Sequence, residues 1–216
     1  MDSIKKLIET IDVRLTIGLV VAVLVLTLDY YNTWLPYDSF EGLLRAEAFE
    51  GLIFYLAIPL GLIALFGDSP ADYGLRLGDW RAGLRWSLLS ALVAVPILYI
   101  AATTPEMASY YSRSDRSLLE ILLVSAGDLL GWEFFFRGFL LFLLARLVGP
   151  NAILLQAVPF ALAHLGKPQL ETITTIFGGA YFGWIAWRTR SFAYPFLLHW
   201  LINVTVRLAA LGLLPF

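Results

Sequence analysis

Cysteine is absent from the chain, which excludes a disulfide framework and any thiolate metal site and leaves the redox compartment unmarked. Histidine occurs only twice, and charged residues make up just 15% of the 216 positions. A strong charge of either sign is missing as well; the formal net charge of −2 says little about partners, and no nucleic acid is expected among them. Internal repeats and low-complexity tracts are not found either. What the chain does have is apolar and aromatic mass: 59% and 15% of its residues, with a mean hydropathy of +0.76. Those figures exceed what a soluble domain carries. Apolar stretches long enough to cross about 30 Å of hydrocarbon recur along the chain and leave no room for a separate soluble domain. The expected fold class is therefore all-α, a polytopic membrane helix bundle of about seven transmembrane helices, with six to eight as the range.

Spans are predicted at 13 to 30, 50 to 66, 84 to 102, 118 to 147, 151 to 166, 171 to 188 and 192 to 213. At 1.5 Å per residue the fourth is roughly 45 Å long, so it must tilt, bend near Gly127 or Gly131, or protrude. Lys5, Lys6, Arg14, Arg76, Arg81, Arg85, Arg146, Arg188 and Arg190 fall on one side. Arg45, Arg113, Arg116 and Lys167 fall on the other, which predicts a cytoplasmic N-terminus and a retained first helix in a plasma or inner membrane. The acidic stretch from Tyr31 to Glu50 reads as an outward loop, and the Gly-, Arg- and aromatic-rich stretch from Asp72 to Leu84 as an anchor at the cytoplasmic headgroup boundary. Trp184, Trp187, Trp200 and Phe134 to Phe136 read as lipid-facing or interfacial bulk.

Polar side chains within apolar helices are costly and mark function by default. Three clusters stand out here: Glu133-x-x-x-Arg137, Phe160-x-x-x-His164 and His199-x-x-x-Asn203. Counted from the cytoplasmic ends, Glu133, His164 and Asn203 lie about 20 Å deep and His199 about 14 Å deep, so the four can share one level. A carboxylate, two imidazoles and a carboxamide suffice to activate water and to donate hydrogen bonds to an oxyanion, that is, to hydrolyse a peptide without a covalent intermediate. Arg137, one turn from Glu133, can hold that acid ionised.

These three motifs, in this order on separate helices, resemble those of the CAAX-protease and bacteriocin-processing (CPBP, Abi-type) family of intramembrane proteases. Asp72-Tyr-Gly-Leu-Arg76 is similar to a family stretch too. The likeness divides the chain into N-terminal transmembrane helices, 1–70, and a protease core, 71–216, within one membrane domain. It implies an intramembrane endopeptidase of glutamic type acting on membrane-associated or prenylated-type protein substrates in the lipid bilayer. In that scheme a glutamate and His164 activate water, while His199 and Asn203 stabilise the oxyanion; Phe160 and Arg137 are supporting residues.

The family pattern begins Glu-Glu-x-x-x-Arg, and this chain has Trp132 at the first glutamate. Because position 133 is turned about 100° from 132, Glu133 takes over that role only on a rotated or bulged helix. Asp128, one turn before Trp132, is a second candidate base. The remaining alternative is a family member that does not cut but serves as a membrane scaffold or peptide-binding immunity protein; a proton-coupled transporter is less well supported, because inverted repeats are not evident. No cofactor is predicted, with zinc left open, since two histidines and a carboxylate are also a zinc set although their spacing is not that of a His-Glu-x-x-His helix. Gly179-x-x-x-Gly183 has the spacing of close helix contact, within the bundle or in an oligomer.

Overall fold

The computed structural model describes residues 12–31, 35, 36, 38, 40–112 and 117–214. Lys5, Lys6, Arg113 and Arg116 of the topology reading lie outside them. All regular structure among the described residues is helical. In chain order the helices are α1 (Val13–Tyr31), α2 (Phe40–Leu52), α3 (Ile58–Leu65), α4 (Trp80–Ala102), α5 (Pro105–Tyr111), α6 (Leu118–Glu133), α7 (Leu141–Val148), α8 (Ala152–Leu155), α9 (Ala157–Leu162), α10 (Gln169–Thr189) and α11 (Ala193–Ala210). π-helical turns, Ile53–Ala57 and Phe134–Leu140, join α2 to α3 and α6 to α7, and 3-10 turns cover Pro70–Tyr73 and Gly149–Asn151.

Four stretches are long and apolar enough to cross a membrane: Val13–Tyr31, Ala48–Leu65, Trp80–Ala102 and Leu118–Leu162. Helices α10 and α11 reach the length, at 21 and 18 residues, but are less apolar because they carry polar residues of the site described below. The outer surface is that of a lipid-embedded protein: along α4, Leu88, Leu92, Val93, Ile97 and Ile100 all stand exposed, a continuous apolar face that water would not support. A polytopic helical membrane fold is the result.

Several elements depart from the sequence reading. The acidic stretch before Glu50 is helical from Phe40 on, as its Ala, Leu, Glu and Arg content favours. The long fourth span does not bend at Gly127 or Gly131, which lie inside regular helix; it loosens after Glu133, where the π-helical turn begins. Gly131 serves close packing instead, since a Cβ there would meet the Gly51 carbonyl oxygen at 2.8 Å. The predicted span at 151 to 166 is two short helices of 4 and 6 residues. Phe134, Phe135 and Phe136 are fully buried, not lipid-facing: they lie in the wider π-helical turn and form the centre of the main apolar cluster with Tyr55, Tyr73, Phe139 and Phe160.

In the stretch from Asp72 to Leu84, Leu75, Leu77, Trp80 and Leu84 are exposed, as the anchor reading expects, but its first aromatic residue is not. Tyr73 is fully buried, stacked on Phe139 with centroids 5.9 Å apart, and its hydroxyl donates to Asp68 at 2.8 Å. Asp68 also accepts from Arg14 at 2.8 Å and Arg146 at 2.7 Å, clasping α1 and α7 at one end of the bundle. Arg76, Arg188 and Arg190 lie close together, as Arg76 donates to the Arg190 carbonyl and Arg188 pairs with Asp79, whose backbone N–H bonds Thr189.

Burial alone would raise the Asp68 carboxyl, but the hydrogen bonds from Tyr73 and Arg146 and the charges of Arg146 and Arg14 outweigh it and hold it below its ordinary 3.8. A carboxyl lowered by folding stabilises the folded state above its unfolded pKa, and that contribution is lost as pH falls through the folded pKa. Thermal unfolding in detergent should therefore find Asp68→Asn less stable than wild type at neutral pH, with the gap closing only below about pH 4. A gap that stays constant down to pH 3 would contradict the clasp.

Candidate active site

Glu133 is the last residue of α6, and the π-helical turn starts with the next residue. An i→i+5 segment turns the chain less per residue than an α-helix, so it re-aims the side chains around it. That irregularity lies where a substitution of Glu133 for position 132 requires one. The two neighbouring side chains then take different surroundings. Trp132 packs among Tyr55, Phe136 and Phe160, with its indole edge-on to His164 at 5.8 Å between centroids. Glu133 turns inward, to 0% exposure, and reaches α11.

There its Oε1 accepts from His199 Nδ1 at 2.7 Å and from Arg137 Nη1 at 3.1 Å. The resemblance pairs the glutamate with His164; in the structure Glu133 meets His199 instead, and its Oε2 has no hydrogen-bond partner among the described residues. Arg137 is likewise fully enclosed. Its guanidinium lies 3.6 Å from the centroid of Phe160, and Nη2 donates to the Gly179 carbonyl at 3.4 Å. Gln156 donates to the same carbonyl at 2.9 Å. Such an approach needs glycine: a Cβ on Gly179 would sit 2.8 Å from Phe160, and one on Gly183 would sit 2.5 Å from Gln156. The Gly179-x-x-x-Gly183 spacing therefore serves contact inside the bundle, between α10 and the short helices α8 and α9.

His164 follows α9, and its Nδ1 lies 2.8 Å from the Phe160 carbonyl oxygen. A carbonyl only accepts, so Nδ1 carries the proton and Nε2 is left with a lone pair. His199 Nδ1 faces the Glu133 carboxylate and so donates to it. Both imidazoles flank Phe160, at 4.6 and 6.1 Å between centroids, and both line one cavity of about 310 Å³. Asn203 lines it too, one turn beyond His199, with its Oδ1 accepting from Arg207 Nε at 2.9 Å.

Of the predicted residues, then, His164, His199, Asn203 and Phe160 share the cavity wall, while Glu133 and Arg137 stand directly behind His199 and Phe160. Asp128 is elsewhere. Its carboxylate lies toward Gly51 on α2, and it is not part of the cavity wall. Sequence reasoning passed over Arg207, although its i, i+4 spacing from Asn203 is a usable signal. It also missed Gln156 and the Tyr111, Lys167 and Glu171 group on the cavity wall, where the Tyr111 hydroxyl donates to Glu171 at 2.6 Å and Lys167 pairs with Glu171 at 3.2 Å. The i, i+4 spacing of Lys167 and Glu171 and the lone Gln156 in an apolar run were signals too, while nothing local marks Tyr111.

Chemically, the arrangement offers two imidazoles and a carboxamide on the wall of a mostly apolar cavity, with an ion pair sealed behind one of the imidazoles. Compared with known families, residues 114–205 match the model described as Rce1-like, Type II CAAX prenyl endopeptidase Rce1-like. The matched segment contains all three motifs but does not reach Asp72-Tyr-Gly-Leu-Arg76. No curated protein and no solved structure matches the chain.

Proposed function

We propose, from the match of residues 114–205 to the Rce1-like CAAX prenyl endopeptidase model, that this chain is an endopeptidase that cleaves membrane-associated or prenylated-type protein substrates inside the bilayer. The observation that carries this reading is the contact between Glu133 and His199, placed beside His164 and Asn203 on one cavity wall.

His199 is the general base. Its Nε2 takes a proton from water as the water oxygen adds to the scissile carbonyl, and Glu133 stabilises the imidazolium that forms. His164 accepts the water's second hydrogen through Nε2 and orients the attack. An N–H of Asn203 donates to the oxyanion. Collapse of the tetrahedral intermediate breaks the C–N bond and His199 returns its proton to the departing nitrogen, giving an amine and a carboxylic acid, which passes its proton to the amine. Arg137 balances the charge of Glu133, which would be prohibitive at 0% exposure on its own. Trp132 takes the space of the family's first glutamate against His164, so the carboxylate that assists the base sits behind the other histidine. The arginine-rich end, with Arg14, Arg146 and Arg190, faces the cytoplasm.

Among the described residues no group of three His, Cys, Asp or Glu side chains is gathered as a catalytic zinc would require, and the mechanism proposed here uses none. The test is cleavage of an internally quenched, farnesylated CAAX-type peptide in proteoliposomes. Turnover that persists after exhaustive chelation is expected. Chelator-sensitive turnover, or one tightly held zinc per chain, would overturn the metal-free mechanism. Absence of turnover would favour the second reading, a peptide-binding member that does not cut, for which the indole beside His164 is the supporting observation.

A further inference from the structure

Resting on that reading, we infer that Arg207 is a positioning residue for the oxyanion donor: it holds the carbonyl end of Asn203 and thereby turns the carboxamide N–H groups toward the scissile bond. Asn203 lies on the cavity wall, whereas Arg207 does not. The guanidinium therefore acts from behind the amide and not on substrate directly. A carboxamide has one accepting and one donating end, and a guanidinium only donates, so the 2.9 Å bond from Arg207 Nε to Asn203 Oδ1 selects one of the two amide orientations. With the carbonyl end taken by Arg207, the donating end is the one left for an oxyanion. A cation one hydrogen bond behind the amide also polarises it, strengthening the N–H as a donor in a site of low dielectric constant.

The guanidinium is itself fixed from three helices. It sits on α11, four residues from Asn203, with its Cζ 5.5 Å from the ring centroid of Tyr111 on α5. Tyr111 is 6% exposed and is held by its hydroxyl bond to Glu171 on α10, which is shared with Lys167. Glu171 is thus already engaged by Tyr111 and Lys167, and the bond that Arg207 makes is to Asn203. A purely structural arginine has no need of that particular partner.

The experiment uses the full chain in proteoliposomes with the farnesylated CAAX-type peptide. Arg207→Leu should lower kcat about tenfold or more, a part of the roughly 10²- to 10³-fold expected for losing the donor itself in Asn203→Ala, with KM within about twofold. Arg207→Lys, which can still donate to the same oxygen, should restore most of kcat. In the Asn203→Ala background Arg207→Leu should add little, because the two act through one group. A raised KM with unchanged kcat, or fully additive losses, would overturn the assignment. If wild type does not turn over, the protease reading fails and the positioning claim is decided separately: in [¹⁵N]Asn-labelled protein the Asn203 side-chain amide resonances should shift in Arg207→Leu and stay near their wild-type positions in Arg207→Lys. Resonances unmoved in Arg207→Leu would refute it.

Discussion

Replacing Glu133 with Gln is expected to cut turnover by about 10³- to 10⁴-fold, the range lost when the partner of a catalytic histidine can no longer fix its tautomer or its charge. A carboxamide can present its NH₂ to His199 Nδ1, and then the proton moves to Nε2, where the base is needed. If it presents its oxygen instead, it keeps the tautomer but not the charge that stabilises the imidazolium. His199→Ala should lose as much in kcat with little change in KM, because the base acts in the transition state and not in substrate binding. The two variants should differ in another respect. His199 is 15% exposed at the cavity wall, so its loss leaves the fold nearly intact, whereas Glu133→Gln strands the buried Arg137 and destabilises the protein as well. Either variant retaining more than about a tenth of wild-type turnover, against the general-base expectation, would remove Glu133 and His199 from the chemistry.

Arg137→Met should produce the largest loss of stability, about 3–5 kcal/mol, because it breaks a buried ion pair and leaves Glu133 enclosed with only His199 beside it. It also empties the space over Phe160, where the guanidinium lies 3.6 Å from the ring centroid, and leaves the Gly179 carbonyl with Gln156 alone. Arg137→Lys should rescue only part of this. A lysine cannot span Glu133 and Gly179 with a planar fork while stacking on a ring. The double variant Glu133→Gln/Arg137→Met should regain most of the stability, since a buried pair replaced as a unit is often near neutral. Reversible unfolding of the detergent-solubilised protein would measure all three against wild type. If Arg137→Met lies within about 1 kcal/mol of wild type, the pair is not held in the enclosed state described.

The sequence alone revealed the membrane fold, the three motifs and the polar residues that meet at the cavity, because a buried histidine or asparagine is conspicuous in an apolar helix. It did not reveal which imidazole faces Glu133. Depth counting set Glu133, His164 and Asn203 level with one another and His199 one turn away, yet the contact is with His199 at 2.7 Å. Depth along a helix says nothing about tilt or about rotation around its axis, and the π-helical turn after Glu133 changes the latter. The same turn explains why Phe134 to Phe136 are interior although their sequence resembles a lipid-facing run. The short helices α8 and α9 looked like a span because composition records apolarity and not continuity. Helix α2 was hidden by its charges, and Tyr73 by a polar, glycine-containing neighbourhood that suggested a surface. Arg207 was readable in principle from its spacing, but its meaning depends on which end of Asn203 it meets.

The enclosed ion pair bears on how the protein is made. Glu133 and Arg137 sit one turn apart on a single continuous helical stretch, so they can neutralise each other before any neighbour arrives, which eases delivery of that segment from the translocon into lipid. The histidine that turns the carboxylate to chemical use comes 66 positions later in the chain. Until α11 has been synthesised and inserted, the nascent protein holds the charge pair without its His199 partner, and on the proposed mechanism it is inactive during its own biogenesis.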